Sequence, residues 1–329
     1  MKRTVRTIGV VLLAAAAAGG APGRAADRAG NPVKIKPVYP GKRWLHRPPP
    51  AVGMDAGKLA AFSKYVGGRG CVVRYGYMVH TWGDHKRRGD VASACKPWFG
   101  HFLFKAVEDG KLASLDEKAL KYAPRLGGIN RALGFKDRRI TFRHMANQVS
   151  CYGLLEGPGT AYAYNDWQMA LFWDCLFIKV YAATFPTVDA KVLRPMLTGP
   201  MECQDKPTFM AFGVKDRSGR VGVSPRDFCR FGLLYLRKGK WRDRRLLSAA
   251  HAVMAVTSPL SNRIPRAGRK KAEMIPGQRS LGSRNIPDNQ TDHMGSYSWL
   301  WWTNGRDRRG RRHWPDVPTD AYGAFGHGG

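Results

Sequence analysis

A serine and a lysine three residues apart can do covalent chemistry when a helix puts them on one face. Ser93-Ala94-Cys95-Lys96 has that spacing. A hydroxyl attacks a carbonyl only when a nearby base takes its proton, and a lysine one turn away serves if it is partly desolvated. The pair alone is a weak signal, because a chain of this composition contains about one such match by chance. Pro97 raises its value. Proline lacks an N–H and clashes with the carbonyl four residues back, so it fits only in the first turn of a helix. Ser93 therefore stands at a helix start, where the helix dipole favours an anionic intermediate. Lys96 falls on the same face. The bland alternative for Ser93 is a helix cap without chemistry.

The elements that must position this pair are legible in outline. Residues 57–66 fit a short amphipathic helix. Cys71 to Trp82 alternates around Gly76 and predicts a β-hairpin. Pro97 to Asp109 has helical periodicity and stops at Gly110. Trp167 to Tyr181 is apolar on most sides, as a buried helix is. Ser224-Pro225 opens another helix, with Ser as N-cap, that runs to near Gly239. Tyr297 to Trp302 predicts a strand. Residues 261–293 form a long basic loop containing Gly and Pro, and loops of that length are usually functional or mobile. Sheet segments interrupted by a helical region imply an α/β fold with a cleft between the two parts, a natural place for an active site.

The N-terminus predicts export. Lys2, Arg3 and Arg6 precede an apolar run from Ile8 to Ala18, and Ala25-Ala26 offers a cleavage site. Residues 1–26 have the layout of a secretory signal peptide, and the apolar run is short for a membrane span. Residues 27–56, rich in Pro, Gly and basic side chains, predict an extended leader on the surface. No later segment resembles a membrane span. The chain carries a net charge of +31, and removing the four cations of residues 1–26 leaves +27. Such a surface attracts polyanions. For an exported protein the candidate partners are anionic envelope polymers or lipid headgroups, and the alternative is that the basic side chains only solvate the surface. No nucleic-acid motif accompanies the charge, so nucleic acid is not expected. The six cysteines (Cys71, Cys95, Cys151, Cys175, Cys203 and Cys229) permit disulfides in an oxidising compartment, but their pairing cannot be read. There is no CxxC, and no metal spacing links His80, His85 and His101. Neither a metal nor a cofactor is expected.

Four further stretches turn the Ser-x-x-Lys match into a pattern. Ile140-Thr-Phe-Arg-His-Met-Ala-Asn-Gln-Val-Ser-Cys-Tyr-Gly-Leu154 and Pro158-Gly-Thr-Ala-Tyr-Ala-Tyr-Asn-Asp166 come first. Ser224-Pro-Arg-Asp-Phe-Cys-Arg-Phe-Gly-Leu-Leu-Tyr-Leu236 and Phe325-Gly-His-Gly-Gly329 follow. Together, in this order across about 240 residues, they resemble the serine β-lactamase and penicillin-binding-protein superfamily, in the branch of class C β-lactamases, DD-peptidases and related esterases. The resemblance implies a mainly antiparallel sheet flanked by helices, with an inserted all-helical region at about 112–240 of a domain spanning 57–329. It implies that Ser93 is acylated, that Lys96 accepts or relays its proton, and that Tyr164 is the general base. Phenolate character would come from the charge of Lys96. The Ser93 N–H would form half of an oxyanion hole. Asp166, His327, Gly328 and Gly329 would contact substrate. His144 and Cys95 are expected to pack rather than react.

Two departures matter. The second motif of the resembled superfamily is Tyr-x-Asn, and here it is Tyr164-Asn165-Asp166. A carboxylate at 166 would hold Lys96 more firmly protonated and favour Tyr164 as base. The third motif is His-Gly-Gly rather than Lys-Thr-Gly, and histidine suits a substrate carboxylate less well at neutral pH. An ester or amide is therefore expected as substrate in preference to a β-lactam. The alternatives are a penicillin-recognising DD-peptidase or β-lactamase, and a catalytically weak protein that holds anionic envelope polymers. In the resembled superfamily another strand and helix follow the third motif, with a second oxyanion donor just after it. The sequence as given ends at Gly329. The expectation is a C-terminally truncated domain lacking its last strand and helix, with low activity, since one lost oxyanion donor costs about 10²–10³ in rate.

Overall fold

The computed structural model describes residues 11–13, 24–26, 32–212, 217–283, 285 and 290–327. Its strands are β1 (Val11–Leu13), β2 (Arg24–Ala26), β3 (Pro32–Lys34), β4 (Gly70–Arg74), β5 (Tyr77–Trp82), β6 (Gly89–Asp90), β7 (Thr208–Phe212), β8 (Ser218–Val223), β9 (Lys240–Trp241), β10 (Arg244–Arg245), β11 (Tyr297–Ser298), β12 (Trp301–Thr303) and β13 (Tyr322–Ala324). The α-helices are α1 (Ala56–Val66), α2 (Lys96–Glu108), α3 (Phe142–Ala146), α4 (Asp166–Trp173), α5 (Pro225–Leu236) and α6 (Ala249–Thr257). All the strand pairings are antiparallel. One sheet has the order β1-β13-β12-β11, a second β6-β8-β7, and β4-β5 is a hairpin. The mixed α/β, antiparallel architecture expected from the sequence is present.

Local chemistry explains the elements nearest the site. The β4–β5 turn has Tyr75 and Gly76 both at positive φ, the backbone that matches the twist of paired strands. A Cβ at Gly76 would stand 1.8 Å from the Val38 carbonyl oxygen, so the leader segment packs where only glycine fits. Further contacts hold its described part to the hairpin. Met78 N–H donates to Leu45 (2.8 Å) and Arg47 N–H to Met78 (3.1 Å), and a 3₁₀ turn forms at Pro49–Val52. Asp55 caps α1, and Ser224 caps α5 with Pro225 in its first turn. Pro97 sits in the first turn of α2, entered through a 3₁₀ turn at Ala92–Cys95. α2 is buried on almost every side. Trp98 stacks on Phe231 of α5 at 4.7 Å, and Phe99 meets Phe177 at 6.0 Å. Buried aromatics on this scale dominate core energetics. No helix among the described residues is long and apolar enough to cross a membrane.

Two expectations need correction. The helical stretch is shorter than 112–240, because β7 and β8 lie inside it. Gly219 (φ 126°) and Gly222 allow their close, irregular pairing against Trp173 and Thr208. Tyr297–Trp302 is not one strand but a tight hairpin. Trp299 and Leu300 turn it at positive φ, which is unusual for such residues, and both are buried. Trp299 N–H donates to Asn147 Oδ1 (2.9 Å) and its ring packs on Phe104 at 5.1 Å. Burial and packing offset the backbone strain.

Candidate active site

The turn that carries Ser93 is built from strand chemistry. Val91 N–H donates to the Val221 carbonyl of β8 (3.1 Å). Asp90 at the end of β6 accepts the Ala92 N–H on one carboxylate oxygen (2.8 Å) and Arg220 of β8 on the other. Ala92 is held at φ 48°. Non-glycine residues persist there only when their surroundings over-determine them, at a cost of order 1–3 kcal/mol, and such strain clusters at functional sites. Ser93 follows, half-buried.

Lys96 is buried and donates twice. Its Nζ lies 2.9 Å from Ser93 Oγ and 2.8 Å from Asp166 Oδ1. Tyr164 lies against this pair, with Lys96 Nζ 4.5 Å from its ring centre. Four residues from two separate sequence motifs thus share one cluster. Asn165 does not join it. Its side chain caps α4, accepting from Trp167 N–H (2.8 Å) and Gln168 N–H (3.2 Å), and donates to the Tyr152 carbonyl (2.9 Å). Capping orients Asp166, at the first position of α4, toward Lys96.

The electrostatics follow from that ion pair. Burial disfavours the Lys96 cation, but the Asp166 carboxylate, with Tyr164 beside it, holds its pKa well above the ordinary lysine range. Burial likewise opposes the Asp166 anion, and the Lys96 charge and hydrogen bond bring it below the usual carboxylate range. Tyr164 goes the other way from expectation. Burial pushes the phenol up, and the lowering by Lys96 is countered by Asp166. The cation that was to make Tyr164 a phenolate is already neutralised. Behind the nucleophile, burial pushes the Cys95 thiol up to about 12, so it is an inert filler. Burial takes His101 down to about 3, leaving it a neutral core residue. His144 completes a capping box with Thr141 on α3.

His327 is exposed, in a turn just after β13. Gly328 and Gly329 lie outside the described residues. Sequence reasoning passed over Gly326, which packs on the Ser93 turn. A Cβ there would stand 2.3 Å from the Val91 carbonyl oxygen and 3.3 Å from Ala94 N. The loop of residues 261–293, expected to be functional or mobile, covers the Tyr164–Asp166 segment with its described residues. Ala267 N–H donates to Tyr162 O (2.8 Å), and Leu281 N–H to Asp166 O (3.1 Å). Gln290 Nε2 donates to Asp166 Oδ2 (3.3 Å). Gly282 lies so close that a Cβ would meet that oxygen at 2.2 Å. Trp302 was missed too. It stacks on Tyr164 (6.1 Å) and His313 (5.8 Å).

No protein-family profile matches the chain, and no curated protein matches it. Solved structures do. A protein provisionally named a β-lactamase, from Bacteroides dorei DSM 17855, is 16% identical with a TM-score of 0.52, over 81% of this chain and 87% of that one. A protein from Bacillus anthracis, provisionally named a 6-aminohexanoate-dimer hydrolase, is 13% identical with a TM-score of 0.54, over 82% of this chain and 71% of that one. At such identities the likeness establishes the fold. The chain has the β-lactamase-like fold.

Proposed function

We propose that this chain is an exported serine hydrolase that forms an acyl-enzyme on Ser93 and cleaves an ester or amide bond. The observation that carries the reading is Lys96 Nζ, buried, bridging Ser93 Oγ and Asp166 Oδ1 with the Tyr164 ring 4.5 Å from the same nitrogen. Ser93 Oγ attacks the substrate carbonyl carbon. Its proton goes to ionised Tyr164, a minority species near neutral pH because burial raises that phenol. The Ser93 N–H, at the entry to α2, donates to the developing oxyanion. Tyr164 then returns the proton to the leaving alcohol or amine, and water attacks the acyl-Ser93 ester by the same route in reverse. Lys96 stays a cation throughout, orienting Ser93 and offsetting the negative charge.

The surroundings favour a linear ester or amide with an apolar group. A row of half-buried rings leads away from Tyr164 through Trp302, His313, Trp314 and Phe325, with centroid spacings of 6.1, 5.8, 5.0 and 5.5 Å. The Bacillus anthracis neighbour is provisionally named a 6-aminohexanoate-dimer hydrolase. The basic surface supports a second role in holding anionic envelope polymers.

The test is mass labelling of the purified protein with a fluorophosphonate, with Ser93→Ala as control. One adduct on Ser93, absent from the variant, is expected. An unlabelled protein would sink the hydrolase reading and leave the binding protein. Turnover of short-chain p-nitrophenyl esters faster than nitrocefin would separate esterase from β-lactamase. N-terminal sequencing of the protein recovered from the periplasm or medium checks export, with cleavage after Ala26 expected.

A further inference from the structure

We propose that Cys71 and Cys229 form a structural disulfide that fastens the β4–β5 hairpin to α5 behind the nucleophile helix. The two residues are 158 apart in sequence, yet their sulfurs touch, Sγ to Sγ 3.4 Å. Cys71 lies on β4 and Cys229 in the first half of α5. Closing to the ~2.05 Å of a disulfide takes a movement of little more than 1 Å, within reach of side-chain rotation.

The other four cysteines are placed differently. Cys151 donates to the Ala161 carbonyl (3.2 Å), and Cys95 and Cys175 are buried in the core. Cys203 is half-buried beside Asp205, Asp227 and Arg230. Cys71 and Cys229 are also half-buried, so a small disulfide can reach them, most easily while α5 docks.

The chemistry balances as thiol–disulfide exchange. The thiolate of one cysteine attacks an oxidant disulfide, such as oxidised glutathione or a disulfide-bearing oxidoreductase. A mixed disulfide forms and one oxidant thiolate leaves. The second cysteine attacks that mixed disulfide, forming the Cys71–Cys229 bond and releasing the other oxidant thiolate. The oxidant gains two electrons, and the two protons lost by the cysteines end on its thiols. The Cys71 thiol is pushed up by its hydrogen bond to Cys229 and by burial. A high-pKa thiol is a poor leaving group, so the bond, once made, resists reduction. That is the behaviour of a structural bridge rather than a redox switch.

The position gives the bridge its purpose. Phe228 and Phe231 of α5 pack on Trp98 of α2 at 6.2 and 4.7 Å, and α2 carries Lys96. Tying α5 to β4 holds this layer together. The proposal needs an oxidising compartment and is independent of any catalytic role for Ser93.

The test is peptide mapping by mass spectrometry of the full chain, purified from an oxidising compartment and alkylated without reduction. A Cys71–Cys229 cross-linked peptide that disappears with dithiothreitol is expected. In a glutathione redox buffer the oxidised protein should melt about 5–15 °C above the reduced one, and a Cys71→Ala/Cys229→Ala variant should lose that difference. Recovery of Cys71 and Cys229 as alkylated thiols, before and after treatment with oxidised glutathione, would overturn the proposal. So would either residue cross-linked to Cys203 instead.

Discussion

Two of the buried ion pairs among the described residues are built from similar parts and put to different ends. Arg230 and Asp227 of α5 approach at 3.5 Å, fully buried. Arg230 donates to the carbonyls of Met201 (2.8 Å) and Gly41 (2.9 Å), and Asp227 accepts the N–H groups of Gln204 (2.9 Å) and Asp205 (2.6 Å). These contacts fasten backbone, and one more goes to the Gln204 side chain (3.2 Å). Lys96 and Asp166 approach at 2.8 Å, and the remaining contacts of Lys96 go to Ser93 and Tyr164. The balance of forces differs accordingly. In the scaffold pair burial wins. It raises Asp227 above and lowers Arg230 below their ordinary ranges. In the site pair each partner overrides burial, raising Lys96 and lowering Asp166. A knot that holds chain segments tolerates strained charges. A cluster that must stay ionised next to a nucleophile needs the close contact.

The sharpest way to break this comparison is to remove the cation from each pair. Lys96→Met should slow acylation of Ser93 about 10²–10³-fold, the scale of a lost electrostatic stabiliser beside the reacting oxygen. Arg230→Met should lower the unfolding free energy by about 3–5 kcal/mol, because it strands a buried carboxylate. Its acylation rate per folded molecule should stay within about threefold of wild type. Denaturant titration and labelling kinetics on both variants check this, and equal loss of acylation in the two would erase the distinction.

A smaller effect is expected at Gly326→Ala. The added methyl meets the Val91 carbonyl oxygen and pushes the end of β13 off the Ser93 turn. A displacement near 1 Å costs about 10²-fold in rate, read as kcat with the melting temperature as control.

Asp166→Asn should raise activity. Without the carboxylate, burial dominates at Lys96 and lowers its pKa, so a neutral amine becomes available as base. A gain of roughly tenfold in kcat/KM at pH 7 is expected, and an unchanged or reduced value would contradict the role given to Asp166. The same variant tests stability. A carboxylate depressed in the folded state contributes above its unfolded pKa of about 3.9, and that contribution is lost as pH falls through the folded value. Below about pH 4 the wild type should therefore lose stability more steeply than Asp166→Asn, by chemical denaturation.

Much of the scaffold was legible because local rules carried it. Pro97 fixed the entry to α2, Gly76 marked the hairpin turn, and Ser224-Pro225 marked the start of α5. The Ser93, Lys96, Tyr164 and Asp166 cluster came from spacing joined to resemblance, and the structure brings those four together. What stayed hidden depends on contacts across the chain. Trp299 and Leu300 turn at positive φ only because Asn147 and Phe104 hold them. Gly326 is required by the Val91 carbonyl, some 235 residues away in sequence. The Tyr164 shift depends on how deeply it is buried and on where Asp166 points, and neither is written in Tyr164-Asn165-Asp166.

The central claim is that Ser93 is a nucleophile whose proton goes to a phenol held above its usual range, beside a lysine pinned as a cation. The direct measurement is the rate of adduct formation on Ser93 across pH 6 to 10, located by mass spectrometry and corrected for the background reaction of the reagent. The account predicts label on Ser93 alone, at a rate that climbs by about tenfold per pH unit as the Tyr164 phenolate grows. A rate flat across that range would contradict the assignment of the base, and label absent from Ser93 would contradict the account itself.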